Sequence, residues 1–217
     1  MGRVGLPETD RVAPTLAVNL PRVFITFEGI DRSGKTTQAR LLAEALGTDA
    51  VLVREPGGTP AAERIRELVK EAELSPIAET LLFSAARADL IERVIRPALA
   101  AGKTVIGDRY VDSTVAYQGG ARGLGIERVE DLNRWLTGDL WPDVTFLLDV
   151  APGVAGERSG ELDRFEREGE TLQRAVAAAY DELAERHADR YVRLDGARPV
   201  AEVHRDVLAR VRGAAVG

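Results

Sequence analysis

The chain concentrates its chemistry in one short run, Gly29-Ile30-Asp31-Arg32-Ser33-Gly34-Lys35-Thr36. It matches the phosphate-loop pattern G-x-x-x-x-G-K-[ST] at every fixed position. At average residue usage such a match arises by chance in roughly one per cent of chains of this length. The context also fits, with an apolar strand pattern before the loop and a helical pattern after it. Glycines let backbone N–H groups converge on phosphate oxygens. The helix N-terminus, which includes Thr37, adds partial positive charge. Lys35 can reach the β- and γ-phosphates, and the Thr36 hydroxyl can ligate Mg2+. The loop specifies a nucleoside triphosphate and little else. A motor, a GTPase or a small-molecule kinase can carry it.

Residues elsewhere must narrow the choice. Phe83 and Arg87 are four positions apart, so they share one helix face. A ring there can stack on a base, and a guanidinium can donate to a pyrimidine carbonyl. The same spacing suits a core phenylalanine and a surface arginine. Asp108-Arg109 close an apolar stretch, at the strand edge where α/β proteins bind ligands. The aspartate can hold Mg2+ through water and the arginine can bind an acceptor phosphate; a structural ion pair fits equally. Asp31 is a carboxylate inside an anion-binding loop, which is unfavourable for simple phosphate binding. It has a dedicated role toward an acceptor or a metal, or else it points into solvent. The turn Glu55-Pro56-Gly57-Gly58 is explained by its proline and glycines alone.

These groups need a scaffold. Five short apolar runs, at 23–27, 51–54, 104–108, 144–150 and 191–194, read as strands. Helical patterns at 34–46, 61–71, 127–136, 165–186 and 200–211 separate them. Ser75-Pro76 is a helix start, a capping residue before a proline at the first helical position. The helix it opens is expected to run to Ala101 with a kink at Pro97. Alternation of strand and helix predicts an α/β fold, a five-stranded parallel sheet covered by helices on both faces. Residues 21–217 read as one domain, with a charged, glycine-rich lid at about 155–167. Residues 1–20 have no clear period and read as a flexible extension.

Composition removes whole classes of function. The 217 residues are 45% hydrophobic and 29% charged, ordinary globular usage, with no cysteine. Thiolate metal sites, disulfides and a cysteine nucleophile are therefore excluded. Two histidines, His187 and His204, cannot build a histidine-rich metal centre. A net charge of −6 argues against a general nucleic-acid binder. No apolar run approaches the ~20 residues that cross a bilayer, and the start does not look like a secretory signal. A soluble cytoplasmic protein with no membrane partner is expected.

Several motifs together resemble the thymidylate kinase family of P-loop nucleoside monophosphate kinases. They are Phe27-Glu28-Gly29 through Thr36-Thr37-Gln38, Arg54-Glu55-Pro56-Gly57-Gly58-Thr59, and Leu82-Phe83-Ser84-Ala85-Ala86-Arg87. Asp108-Arg109-Tyr110 through Tyr117-Gln118-Gly119-Gly120, Pro142-Asp143, Asp149 and Asp163-Arg164-Phe165-Glu166 continue the likeness. It runs from about residue 22 to the C-terminus. It implies the P-loop NTPase fold and phosphorylation of dTMP by ATP with Mg2+ as cofactor. It also implies a homodimer packed through the helix that carries Phe83. Leu81, Leu82, Leu90, Ile91 and Val94 suit such a face, and equally an intramolecular core.

The resemblance also assigns residues. It implies thymine stacking by Phe83, hydrogen bonding to the base by Arg87 and Gln118, and packing of Tyr117 where a 2′-OH would sit. Arg54, Pro56, Ser113, Arg109 and Asp31 border dTMP. Gly29 to Thr37 hold ATP, Arg158 stacks on adenine, and Thr36 and Asp108 hold the metal. Thr114 stands where some relatives carry an asparagine. Thymidylate kinases supply a catalytic arginine either from the phosphate loop or from the lid. Arg32 in the loop is expected to be the main cation beside Lys35, with Arg164 secondary. Another P-loop kinase is the nearest alternative enzyme. A P-loop switch without an acceptor is the alternative from another class, and no guanine-reading motif is evident.

Overall fold

Glycine- and proline-marked loops and apolar five-residue runs set the rhythm of the chain. The computed structural model describes residues 23–156 and 169–214. The proposed extension at 1–20 and most of the expected lid lie outside them. Strands β1 (Phe24–Glu28), β2 (Ala50–Arg54), β3 (Thr104–Asp108), β4 (Val144–Asp149) and β5 (Tyr191–Asp195) form one sheet. Every pairing is parallel and the order is β2-β3-β1-β4-β5. The expected five-stranded parallel sheet is therefore present. β1 lies at the centre, and its start is pinned by Asp143, whose Oδ2 accepts the Phe24 N–H at 2.7 Å.

Both faces of β1 are buried, which is why it reads as a continuous apolar run. Ile25, Phe27, Phe146 and Leu148 face α1 (Lys35–Leu46) and α9 (Val200–Ala214). Phe27 and Phe146 stack there with ring centroids 5.2 Å apart. Phe24, Val53 and Val105 face α3 (Pro76–Leu90) and the helical segments that follow it. Leu147 meets α6 (Ile126–Thr137) and α8 (Gly169–Arg186) through Val129, Val176, Tyr180 and Leu183.

Caps form where the sequence places them. Thr59 accepts the Ala62 N–H at the start of α2 (Pro60–Glu71), and Ser75 accepts the Ala78 N–H at the start of α3. The helix opened by Ser75 runs on to Ala100, close to the expected Ala101, and its irregularity is a π turn just ahead of Pro97. A π turn, Ile91–Ile95, separates α3 from α4 (Arg96–Ala100), and the Arg96 N–H reaches back to the Ile91 carbonyl. Proline has no N–H and its ring collides with the carbonyl four residues back. Widening the preceding turn absorbs that conflict. A second π turn, Val115–Ala121, follows the short α5 (Val111–Thr114) and carries Tyr117 and Gln118. At Gly120 in this turn, an added Cβ would stand 2.5 Å from the Ala179 Cβ of α8. A glycine is what lets the two elements touch. The segment Pro152–Gly156 is a short α7.

Candidate active site

The phosphate loop joins β1 to α1 in the tight turn the sequence predicts. Gly29 has φ 137°, and a Cβ there would come within 2.6 Å of the Leu148 carbonyl oxygen. Gly34 precedes α1 in a left-handed conformation, no side chain caps the helix, and its first turn has no acidic residue. The N–H groups of this terminus are thus arranged for an anion. Lys35 folds over its own loop and donates to the Ile30 carbonyl at 2.6 Å and to Ser33 Oγ at 3.2 Å. Burial, then repulsion from Arg109, lowers its pKa to about 7, against the pull of Asp31, Asp108 and Glu28. Thr36 Oγ1 donates to Asp108 Oδ2 at 2.6 Å, so the two expected metal ligands are adjacent. Two hard oxygens beside a phosphate site fit Mg2+, which keeps several waters and takes further oxygens from phosphate. Among the described residues no group of three or more His, Cys, Asp or Glu forms a closed metal cage.

A cleft of about 370 Å³ opens beside the loop at the carboxyl ends of β1, β2 and β3. Asp31, Arg32, Lys35 and Thr36 line one end, and Phe83, Arg87, Ser113, Tyr117 and Gln118 line the rest. Arg54, Pro56, Asp108 and Arg109 complete the expected set around it. A second cleft lies on the other side of the loop, between α1 and the β5–α9 connection. It is lined by Arg32, Lys35, Thr36 and Thr37 together with Gly196 and Arg198. Arg32, Lys35 and Thr36 therefore face both clefts. Arg32 has φ 61°, a left-handed backbone that is uncommon for a residue with a side chain.

Arg109 is tethered from several sides. Its backbone is also left-handed, with φ 71°. Nη1 donates to the Gly29 carbonyl at 3.2 Å and to Ser113 Oγ at 3.0 Å. Nη2 donates to Asp31 Oδ1 and, at 3.4 Å, to the Tyr117 hydroxyl. The guanidinium also sits 5.2 Å from the Tyr117 ring centre. Asp31 is held from its other side by Gln173 of α8, which donates to Oδ2 at 2.8 Å and accepts the Asp31 N–H at 3.1 Å. Burial opposes ionisation of Asp31, but Arg109 and Lys35 outweigh it and hold the carboxyl below its usual value. Asp31 does not point outward into solvent. It braces the arginine.

Phe83 and Arg87 do share a face, and both reach the cleft. Arg87 is not a surface charge; it is 2% exposed. Nε donates to Glu55 Oε2 at 2.8 Å and Nη1 to Asn133 Oδ1 at 2.6 Å. Nη2 donates to the Tyr110 carbonyl at 3.1 Å and to Thr114 Oγ1 at 2.7 Å. Those bonds engage four of the five guanidinium N–H groups. One hydrogen on Nη1 lies outside those bonds. Gln118 is likewise oriented from within, its Nε2 donating to Glu79 Oε1 at 2.8 Å. Arg54 pairs with Glu63 at 2.9 Å, while Glu63 also accepts the Gly58 N–H at 2.7 Å. The turn after β2 is thereby latched to α2.

Some site residues escape a reading of the sequence. Arg66 and Lys70 of α2 line the first cleft, and Gly196 and Arg198 the second. Their four-residue spacing was the available signal for Arg66 and Lys70. Gln173, Asn133 and Tyr180 carry no local signal, because their partners lie far along the chain. Arg158 and Arg164 lie outside the described residues.

The sequence model of the family described as Thymidylate kinase matches residues 27–207. The chain is 50% identical to the thymidylate kinase of Dinoroseobacter shibae over 90% of this chain and 99% of that protein. It is 45% identical to the thymidylate kinase of Chlorobium chlorochromatii, over 87% of this chain and 94% of that one. Among solved structures, thymidylate kinase from Ehrlichia chaffeensis superposes with a TM-score of 0.72 at 35% identity, covering 87% of this chain and 98% of that one.

Proposed function

We infer the working parts of the site from the premise that this chain belongs to the thymidylate kinase family. It phosphorylates dTMP to dTDP, a step in dTTP synthesis. ATP occupies the cleft between α1 and the β5–α9 connection, and dTMP the cleft lined by Phe83 and Arg87. The observation that carries this reading is the shared wall: Arg32, Lys35 and Thr36 line both clefts. A phosphoryl group crossing from one cleft to the other passes these three residues.

Phosphoryl transfer is catalysed by positioning and charge neutralisation. Lys35 leaves the Ile30 carbonyl for the triphosphate, and Arg32 neutralises charge on the transferring group. Arg109 holds the acceptor phosphate while Asp31 and Tyr117 hold Arg109. Phe83 stacks on thymine, the remaining Arg87 hydrogen and Gln118 meet its polar edge, and Tyr117 blocks a 2′-OH. Thr36 and Asp108 would hold Mg2+, which would supply neutralisation of phosphate charge there. Arg158 and Arg164 complete the adenine and transfer sites. A homodimer packed through α3 is part of the proposal. Leu90 and Ile91 are core residues, but Ile77 and Leu81, four apart, are 62% and 54% exposed.

A panel of nucleoside monophosphates with Mg·ATP, followed by coupled ADP release, tests the assignment of the clefts. dTMP is expected to be the best acceptor, dUMP weaker, and AMP and GMP nearly inert. Faster turnover of AMP or CMP than of dTMP, or equal ADP release with no acceptor, overturns it.

A further inference from the structure

Glu28 ends β1 and is 0% exposed, one residue before the phosphate loop. It does not line either cleft. Oε1 accepts the Tyr110 N–H at 2.7 Å. Oε2 accepts the Ser113 hydroxyl at 2.6 Å and the Tyr180 hydroxyl at 2.7 Å. Burying a carboxylate is costly even when it is fully hydrogen-bonded. The local hydrogen bonding does not demand a charge. A neutral amide would accept the Tyr110 N–H through its oxygen and donate to Ser113 and Tyr180, whose hydroxyls rotate.

What a charge adds here is direction. Arg109 donates to Ser113 Oγ at 3.0 Å, and Ser113 donates onward to Glu28. The chain of donors is ordered only while the carboxylate is a pure acceptor, and each bond then polarises the next. The Tyr110 N–H bond fixes the peptide that follows the left-handed Arg109. Glu28 thus grips Arg109 twice, through its backbone and through its side chain.

We propose that Glu28 in its ionised form is the positioning residue for Arg109, setting the guanidinium that receives the acceptor phosphate. The proposal rests on the kinase reading above. Burial, then the neighbouring Asp112 charge, raises the Glu28 pKa to about 7, against Arg109, Ser113 and Tyr180. Lys35 of α1, Arg190 just before β5 and Tyr191 at the start of β5 are the other charged or titratable groups around it. The folded-state pKa lies above the ordinary value of 4.5, so protonation favours the fold. Stability from this group is full below about 4.5 and is lost as pH rises through 7. The ionised form that aligns Arg109 is the form that weakens the fold.

The test compares wild type, Glu28→Gln and Tyr180→Phe from pH 6 to 9, with dTMP varied at saturating Mg·ATP and Mg·ATP varied at saturating dTMP. At pH 8 Glu28→Gln should lose roughly tenfold or more in kcat/KM for dTMP, as expected for a displaced phosphate ligand. Its ATP KM should stay within about twofold, a split that a general packing defect does not produce. Its melting temperature at pH 8 should equal or exceed that of wild type. Tyr180→Phe removes one donor from the carboxylate, so the acid limb of its profile should move to higher pH. Wild-type kcat/KM and an unchanged pH profile in Glu28→Gln overturn the proposal. So does a loss accompanied by a lower melting temperature and a matching rise in ATP KM. If wild type itself fails to turn over dTMP, the kinase reading fails instead, and the wild-type control separates the two cases.

Discussion

The proposed function leaves two arginines as candidates for the charge that develops on the moving phosphoryl group, Arg32 and Arg164. Arg32 is held by the loop backbone and faces both clefts, so little conformational entropy is lost when it reaches the phosphates. Such a cation is worth ~10³–10⁵ in rate. Arg32→Ala should lower kcat far more than it raises the dTMP KM. Arg164→Ala should retain more activity, measured at saturating ATP and dTMP; the opposite order would assign the role to Arg164. Tyr117 poses a separate question of sugar choice. Its ring lies against Arg109 and its pKa is pushed up by burial, so the proposed wall against the sugar is a neutral one. Tyr117→Ala should relax discrimination against the ribonucleotide, whereas Tyr117→Phe should leave it nearly intact. Unchanged dTMP preference in the alanine variant would remove Tyr117 as the steric gate.

Elements are tied to one another by buried charge as well as by apolar packing. Arg190, just before β5, donates through Nη1 and Nη2 to both oxygens of Asp112 in α5, each at 2.7 Å. Nη1 also donates to Thr145 of β4 at 2.7 Å. The partners are 8% and 1% exposed. Removing one member of a buried pair strands the other, at a cost of about 3–5 kcal/mol. Asp112→Ala should therefore lose roughly that much in urea unfolding, although it touches neither cleft. A loss below ~1 kcal/mol would mean that water replaces the carboxylate. The π turn at Val115–Ala121 shows the same logic in backbone form. It wraps against α8 at Gly120 and delivers Tyr117 and Gln118 to the cleft.

For the whole molecule, the proposed role of Lys35 links nucleotide binding to proton binding. Its folded pKa of about 7 lies below the ordinary 10.5, so burial of its charge costs stability below pH 7 and is relieved as pH rises toward 10.5. A bound triphosphate favours the charged form, so ATP binding should take up a proton above pH 7. Affinity should then weaken by up to about tenfold per pH unit there. Calorimetry at pH 8.5 in buffers of different ionisation enthalpy checks this, and Lys35→Met should abolish the uptake. The sequence by itself determined the phosphate loop, because its function lies in contiguous backbone. It also determined the strands: β1, β3 and β4 are buried on both faces and leave continuous apolar runs, while the edge strands β2 and β5 keep short apolar runs that are only partly buried. The face shared by Phe83 and Arg87 followed from helical periodicity. Only the tertiary structure decided that Arg87 is a buried hub, since Glu55, Thr114 and Asn133 come from three separate elements. The π turns were hidden because a slipped hydrogen-bond register leaves no mark in side-chain type. Gln173 meets Asp31 across 142 positions, and Tyr180 meets Glu28 across 152. Long-range contacts of that kind are made by packing, and no local periodicity encodes them.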